Sequence, residues 1–250
     1  MDNRITKKSE NITQVLRIHK MKGHNIIKRA CMHNLREIPA ELRKENIDSS
    51  RTYLNQILYG PSNSSVAKIE YEQMLASANL LRTIRKDAVM GIEIVVSLPR
   101  THNIDEDKLF GSSIDWCKKY FGAPLLSGVI HRDEDHPHCH IIIVPIVNSR
   151  LQGSQLCGNR TKWRSMQENF YKTVGVFYGL TKPRPAVRYR SEYRALLATR
   201  VVDSIASNEG CLYRQALRRE LIQVVANDPV DLAFIVGIDM RYSQASACKT

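Results

Sequence analysis

Residues 131–140 read HRDEDHPHCH, and this stretch determines both the fold and the chemistry that we predict. His138 and His140 lie two positions apart, so their side chains point to the same face of an extended strand. Apolar, strand-forming residues flank the stretch on both sides. We therefore predict an antiparallel hairpin with a polar turn at residues 132–137. His131 then lies opposite His138 or His140, on the same face of the sheet.

The predicted hairpin brings three imidazoles together, with Glu134 on the turn above them. Neutral imidazole is the commonest metal ligand in proteins, and three of them leave coordination positions open for a substrate oxygen. The alternative is a solvated turn with unrelated histidines, but four of the eight histidines of the chain fall in this one window. A structural ion would usually require a fourth protein ligand, and Cys139 points to the opposite face. The pattern therefore predicts a catalytic metal site.

The composition describes a strongly basic chain of 250 residues with a formal net charge of +12. This charge indicates a polyanionic partner, and nucleic acid is favoured over an acidic membrane surface. No apolar stretch is long enough to cross a bilayer and no secretory signal is recognisable, so membrane insertion is not expected. The six cysteines are scattered without a C-x-x-C pair, which is typical of a reducing cytoplasm.

The order of the elements predicts an α/β (α+β) fold. We expect a small, mainly antiparallel sheet with helices on one face, and with the histidines on the other face, open to a ligand. Besides the hairpin, the expected strands cover residues 15–19 and 88–98, and the expected helices cover residues 67–85, 105–120 and 161–178. Residues 30–65 are expected to form a long loop or short helices. A closely spaced proline pair separates a domain of residues 1–182 from a helical, basic region of residues 183–250.

Four segments of the chain resemble one known family. They are H-N-L-R at residues 33–36, the block at residues 46–55, the stretch at residues 67–98 that contains I-R-K-D-A-V, and the histidine hairpin. Together, and in this order, they are similar to the Pre/Mob plasmid mobilisation relaxases, which are the MobV-type members of the HUH endonucleases. The resemblance covers the chain from about residue 15 to residue 180 and implies the palm-like fold of HUH enzymes.

The resemblance implies a site- and strand-specific enzyme that nicks and joins DNA at a transfer origin, for plasmid mobilisation or recombination. In such enzymes the histidine cluster holds a divalent cation, Mn²⁺ or Mg²⁺, and a protein nucleophile forms a covalent 5′-phosphoryl intermediate. Single-stranded or extruded plasmid DNA is the implied partner, and the conjugation machinery is a further one. The implied location is the cytoplasm.

The resemblance also implies roles for the residues of the hairpin. Glu134 matches an acid that orients a ligand or serves the metal shell. Asp133 matches the acid beside it, which is a candidate proton acceptor or supporting partner. The residues that match the metal ligands are His131, His138 and His140.

Upstream of the hairpin, His33 matches the nucleophilic histidine of the family, and Arg36 matches the cation beside the phosphate. Tyr53 and Tyr59 are the alternative nucleophiles, because related HUH enzymes use tyrosine. The residues that match DNA contacts are Asn34, Asn46, Arg51 and Asn55.

Two other classes of protein remain open at this point. A replication-initiator or transposase-type HUH nuclease would share the metal site, although the H-N-x-R segment argues against it. A non-catalytic, metal-containing DNA-binding protein would use the ion only to hold its fold. The chain also departs from the family pattern at residues 155–156, where Gln and Leu stand in place of an expected Lys that contacts phosphate.

Overall fold

The computed structural model describes residues 12–23, 25–44, 46–81, 83–183, 190–208, 215–227 and 229–238. The chain divides into two compact units, of which the first ends at Pro183 and the second begins at Arg184. This division lies one residue from the expected boundary between residues 182 and 183. The first unit holds the histidine hairpin.

A five-stranded antiparallel sheet forms the centre of the first unit. Its strands are β1 (Val15–Lys22), β2 (Gln56–Tyr59), β3 (Val89–Ser97), β4 (Leu125–His131) and β5 (His138–Ile143). Their order is β1-β3-β5-β4-β2, so the histidine hairpin β4-β5 lies inside the sheet with a strand on either side. Every residue of β4 and β5 is buried. The hairpin is therefore held in place by pairing along both of its edges.

The helices of the first unit lie on both sides of this sheet. They are α1 (Ile26–Asn34), α2 (Ser64–Ser77), α3 (Glu106–Phe121), α4 (Gly153–Cys157) and α5 (Arg160–Thr173). Short 3-10 helices occupy Ser49–Leu54 and Gly175–Tyr178, and a small second sheet pairs Ile146–Val147 with Arg150–Leu151. The longest of these helices, α3, begins where the Asp105 side chain accepts a hydrogen bond from Lys108 N at 3.1 Å. It ends at Gly122, which has a left-handed backbone.

The main hydrophobic core lies between one face of the sheet and helices α3 and α5. It packs the β-branched residues of β3 and β5 against large aromatic side chains from the two helices. Members of this core that are at most 5% exposed include Ile94, Ile141, Phe110, Trp116 and Phe170. Cys139 belongs to the same core, which confirms that it points away from the histidines.

The opposite face of the sheet carries the histidines, and α1 and α2 cover part of it. Ile27 and Cys31 of α1 and Tyr71 of α2 pack against Ile142 of β5, which lies on the histidine face two residues beyond His140. The expected α+β class with an antiparallel sheet is confirmed, and the helices extend to both faces rather than one. The histidine face is consequently covered in part and not open along its whole length.

The register of the hairpin agrees with the prediction that the three histidines share one face of the sheet. His131 pairs directly with His138, and Val129 pairs with His140, so all three histidines lie on one face. Strand β4 ends at His131 and β5 begins at His138, which confirms the turn at residues 132–137.

Two elements differ from the sequence-based expectations. The helix expected at residues 67–85 is α2, Ser64–Ser77, and it ends before Asn79, which has a left-handed backbone at φ 44°. Strand β2 lies in the region expected to be loop or short helices. It is a four-residue, largely exposed edge strand that pairs with β4, and its apolar residues Ile57–Tyr59 are consecutive, so they lack the alternation that identifies a half-buried strand.

In the second unit, the described residues form three helices: α6 (Ser191–Asn208), α7 (Gln215–Asn227) and α8 (Pro229–Ile235). Their apolar sides share a small core that includes Leu197, Val201 and Val225. The helical character expected for residues 183–250 is observed there, although residues 184–189 lie outside the described part. Among the described residues, no helix combines the length and the apolar character required to cross a membrane.

Candidate active site

Three histidines form a compact cluster at the end of the hairpin. The ring centroids of His131 and His140 are 4.8 Å apart, those of His138 and His140 are 4.9 Å apart, and those of His131 and His138 are 5.1 Å apart. None of the three is more than 9% exposed. Strand pairing therefore brings together three imidazoles that are largely shielded from water.

One ring nitrogen of each histidine is hydrogen-bonded to an oxygen atom, which leaves the other ring nitrogen available to an ion. Such bonds orient the ring and make its free nitrogen a better ligand. The Nδ1 atom of His131 is buried and has no hydrogen-bond partner among the described residues, as expected of a nitrogen that faces a metal position. The bonded pairs are His131 Nε2 with the Asn34 carbonyl at 2.7 Å, His138 Nδ1 with the His136 carbonyl at 2.7 Å, and His140 Nδ1 with Glu93 Oε1 at 2.9 Å.

The electrostatics of the cluster favour neutral rings. Burial holds the pKa of His131 well below its usual value, and the neighbouring His140 and Arg36 lower it further. Burial also lowers the pKa of His138, with a smaller contribution from His140. Because only a neutral imidazole has a lone pair to donate, these two rings are ready to bind a cation near neutral pH.

Two groups of side chains could hold a metal ion, and both contain His131. In one group, ligand atoms of His131, Glu134 and His138 lie within 4.8 Å of one another. In the other, ligand atoms of His33, His131 and His140 do so. The chemistry of the donor set, mostly imidazole nitrogen with one carboxylate, suits a divalent cation.

His33 lies on the last turn of α1, directly beside the cluster. Its ring centroid is 5.7 Å from that of His140 and 5.9 Å from that of His131. The Nδ1 atom of His33 is 2.6 Å from Glu41 Oε2, on the loop that follows α1. The structure therefore brings the upstream histidine and the hairpin histidines into one site.

Arg36 adopts an unusual backbone at the end of α1. Its φ is 57°, in the left-handed region that usually belongs to glycine at this position of a helix end. Backbone bonds from Arg36 N to the His33 carbonyl at 3.1 Å and from Glu37 N to the Met32 carbonyl at 2.8 Å close the helix. A residue with a side chain thus occupies a backbone conformation that glycine adopts more easily, and such backbone strain is typical of functional sites.

The side chain of Arg36 makes contacts that glycine could not make at this position. Its guanidinium binds both carboxylate oxygens of Asp133, and its Nη2 also donates to Glu134 Oε1 at 2.7 Å. The Arg36 Nη1 atom is buried and has no partner among the described residues. One nitrogen of the buried guanidinium therefore keeps its hydrogen-bonding capacity unused.

The block at residues 46–55 completes the site by holding the hairpin turn. Asp133 Oδ2 accepts hydrogen bonds from Thr52 Oγ1 at 3.1 Å and from Asn55 Nδ2 at 2.8 Å. The other side-chain atom of Asn55, Oδ1, accepts from Arg132 N at 2.7 Å. Asn46 Nδ2 lies 3.5 Å from Glu134 Oε2. Three of the four segments that resemble the family, residues 33–36, residues 46–55 and the hairpin, therefore meet at Asp133 and Glu134.

The structure shows contacts within the protein for two of the asparagines expected to contact DNA, Asn34 and Asn55. Asn34 is 1% exposed, so its side chain does not reach the surface. Its backbone carbonyl orients His131 instead. The side chain of Asn55 is half-buried and holds Asp133 and the turn. These asparagines build the site from inside, whereas Asn46 and Arg51 remain on the exposed side of it.

Among the described residues, neither tyrosine makes a ring contact with a histidine of the cluster. Tyr53 is 81% exposed. The ring of Tyr59 lies under the Lys118 ammonium, 4.5 Å from it, and Lys118 belongs to α3. Since α3 covers the opposite face of the sheet from the histidines, Tyr59 points away from them.

Two carboxylates of the site were missed in the sequence. Glu41 binds His33, and Glu93 accepts from His140 and lies 3.6 Å from His19 Nδ1. Glu93 could have been found, because a lone acid inside the β-branched run of β3 is unusual. It pairs with Ile142, so its side chain lies on the same face of the sheet as the histidines. Nothing local identified Glu41, which lies in a polar loop among other charged residues.

Comparisons with known proteins agree with this architecture. Residues 10–184 match the Mob_Pre family model, which is described as plasmid recombination enzyme. A plasmid recombination enzyme type 3 of Staphylococcus aureus is 28% identical over 137 residues, which cover 52% of this chain and 33% of the relative. A plasmid recombination enzyme of a Bacillus species is 29% identical over 166 residues, which cover 62% of this chain and 38% of the relative. The chain thus spans 33% and 38% of the length of these two relatives.

Solved structures show the same fold. A crystal structure of the MobM relaxase domain bound to Mn and to plasmid oriT DNA has a TM-score of 0.61 at 22% identity, covering 71% of this chain and 94% of that one. A second Mn-bound structure of that domain has a TM-score of 0.57 at 22% identity, covering 74% of this chain and 98% of the other. Since the family model matches more than half of the chain, the protein belongs to the plasmid recombination enzyme (Mob_Pre) family, as its resemblance to the Pre/Mob relaxases predicted.

Proposed function

We propose that this protein is a relaxase that nicks one strand of a plasmid transfer origin and rejoins it, for plasmid mobilisation or recombination. The observation that carries the proposal is the meeting of His33 and Arg36 with the three-histidine cluster. A nucleophile, a cation for phosphate and a metal position within one small site are the parts that phosphoryl transfer requires.

In this proposal His131, His138 and His140 hold a divalent cation, Mn²⁺ or Mg²⁺. The unpartnered, buried Nδ1 of His131 and the lowered pKa of His131 and His138 support this assignment. The Mn-bound state of the MobM structures also favours a divalent ion. When bound, such a cation supplies Lewis acidity at the scissile phosphate. Glu134, which belongs to one of the two donor groups, completes or orients its shell.

His33 is the nucleophile that we favour. The lone pair of its Nε2 atom forms a bond to phosphorus while the bond from phosphorus to the 3′ oxygen breaks. The electron pair of that bond leaves on the 3′ oxygen, which takes a proton from water, and the 5′ phosphate stays on His33. The ring contacts of His33 with His131 and His140 favour it over Tyr53 and Tyr59, for which the described residues show no such contact.

Arg36 and the two acids of the turn have separate roles in this proposal. The free Nη1 of Arg36 donates to a phosphate oxygen as negative charge builds up there. Burial by itself would raise the pKa of Asp133, but hydrogen bonds from Arg36 and Asn55 outweigh it and lower the pKa. Asp133 is therefore a weak base, so we assign it the supporting role and not that of proton acceptor.

The substrate in this proposal is DNA that is single-stranded or extruded at the nick, because a recessed cluster cannot reach a phosphate inside a duplex. Arg51 and Asn46 lie where they could contact the strand, and the net charge of +12 supplies long-range attraction. DNA affinity should consequently fall steeply as salt concentration rises. Such an enzyme would act in the cytoplasm and would pass the nicked strand to the conjugation machinery.

The test is a search for the covalent adduct. Purified protein is incubated with labelled single-stranded oligonucleotides that tile the DNA around its own gene, with Mn²⁺, with Mg²⁺ or with a chelator. We expect a metal-dependent adduct that is lost in His33→Ala and kept in Tyr53→Phe and Tyr59→Phe. The adduct should be labile to acid and stable to alkali, as a phosphohistidine is. An acid-stable adduct that disappears in either tyrosine variant would transfer the nucleophile to that tyrosine, and no adduct on any tiled strand would overturn the proposal.

A further inference from the structure

Glu41 and His33 form a close pair at the edge of the histidine cluster. The 2.6 Å between Glu41 Oε2 and His33 Nδ1 is the length of a strong, charge-assisted hydrogen bond. The side chains are 21% and 34% exposed, so the pair is partly shielded from water. Glu41 lies on the loop after α1 and reaches back over the end of the helix that carries His33.

The pair determines which ring nitrogen of His33 carries hydrogen. A carboxylate with a low pKa can only accept, so Nδ1 must be the donor, and in the neutral ring the proton is then absent from Nε2. The hydrogen bond from His33 is the main reason that the pKa of Glu41 is lowered, and this keeps Glu41 ionised. The remaining nitrogen, Nε2, therefore has a free lone pair.

The other acids near His33 are already engaged. Glu93 accepts from His140 at 2.9 Å, and Glu134 accepts from Arg36 at 2.7 Å. Glu37 binds the backbone nitrogen of Ser64 at 2.8 Å, at the start of α2. Among the described hydrogen bonds of His33, the one to a side chain is that with Glu41.

We propose that Glu41 is a positioning residue for the nucleophile. It holds the His33 ring with Nε2 as the bare nitrogen, and it stabilises the positive charge that the ring acquires when Nε2 bonds to phosphorus. The proton stays on Nδ1 throughout, between the ring and the carboxylate. This inference rests on the proposed function, because it assigns Glu41 to the same reaction. It follows the logic of an Asp that orients a catalytic imidazole.

The test compares Glu41→Ala, Glu41→Gln and wild type in single-turnover adduct formation at saturating oligonucleotide and metal. We expect Glu41→Ala to slow adduct formation by about 10- to 100-fold, as removal of such partners does at other sites. The oligonucleotide Kd should change by less than about twofold, since Glu41 acts on the ring and not on the strand. Glu41→Gln should recover part of the rate, because its amide oxygen can still accept from Nδ1 but carries no charge.

A second readout is independent of activity. Nitrogen NMR of the His33 ring in the metal-free protein should show hydrogen on Nδ1 in wild type and a mixture of the two neutral forms in Glu41→Ala. Glu72→Ala is the control, because it removes an exposed glutamate that pairs with Lys68 on α2. Glu72→Ala should leave both readouts unchanged.

The outcomes separate the two proposals. A wild-type rate in Glu41→Ala, a loss confined to DNA affinity, or a wild-type ring with hydrogen on Nε2 would each overturn the role of Glu41. If instead adducts form equally well in His33→Ala and in wild type, the proposed nucleophile fails. The NMR comparison then still decides whether Glu41 orients the ring.

Discussion

Arg36 and Asp133, which are 97 residues apart in the chain, form a buried ion pair with two parallel hydrogen bonds, from Nε to Oδ2 at 2.9 Å and from Nη2 to Oδ1 at 2.7 Å. Their side chains are 3% and 0% exposed. The pair fastens the end of α1, with His33, to the turn of the histidine hairpin. The relative position of the proposed nucleophile and the proposed metal ligands therefore depends on it.

Breaking this pair should be costly for stability. We expect Arg36→Ala to lower the free energy of unfolding by about 3 kcal/mol, because it leaves the Asp133 carboxylate buried without its partner. Arg36→Lys should lie between Arg36→Ala and wild type, since an ammonium cannot make both parallel bonds. Urea denaturation measures these differences. The control is Arg85→Ala, whose ion pair with Asp87 is exposed and should contribute less than about 1 kcal/mol. Equal effects at both positions would contradict the prediction.

The left-handed backbone of Arg36 leads to a second prediction about the same position. Arg36→Gly and Arg36→Ala lose the same ion pair, but only glycine adopts a φ of 57° without strain. We therefore expect Arg36→Gly to be more stable than Arg36→Ala by about 1 kcal/mol, the usual cost of this conformation for other residues. Urea denaturation of the two variants side by side is the measurement. If alanine were the more stable of the two, the backbone would not be strained in solution.

Metal binding should depend on the hairpin histidines and not on the side chain of His136, which lies on the same turn. We expect His138→Ala to abolish Mn²⁺ binding and nicking, while DNA affinity stays within about threefold of wild type because it comes mainly from phosphate contacts. Calorimetric titration with Mn²⁺ and a DNA-binding assay separate these effects. His136→Ala is the control, since His136 is exposed and it contributes its backbone carbonyl to His138. Tight Mn²⁺ binding by His138→Ala would exclude that ring as a ligand.

Stability of the metal-free protein should depend on pH through the buried histidines. Burial lowers the pKa of both His131 and His138 in the folded state, so the unfolded chain binds protons first as pH falls. The stabilisation that these two histidines contribute is therefore complete above about pH 6.5, which is the pKa of histidine in the unfolded chain, and it is lost as the pH falls below that value. Urea denaturation between pH 8 and pH 5, with a chelator present, should show this loss. His131→Gln should flatten the profile, and a wild-type profile that is already flat would refute the assignment.

The histidine cluster could be predicted from the sequence because its geometry is local. Two residues two positions apart on a strand share a face, and a six-residue turn returns His131 to lie opposite His138. The strands β3, β4 and β5 were equally visible, since their apolar residues are contiguous. His33 and Arg36 were assigned to the site through the family resemblance, because no local pattern connects them to a hairpin about 100 residues later in the chain.

Only the tertiary structure decided what each remaining side chain does. Asn34 and Asn55 turned out to be internal supports, and Tyr59 faces the other side of the sheet. Such outcomes depend on which element covers which face and on contacts between distant segments, which local composition does not encode. The parity of a strand is set by covalent geometry and can be read residue by residue. The partner of His33 is set by how a loop packs after α1, and that becomes visible only when the chain is folded.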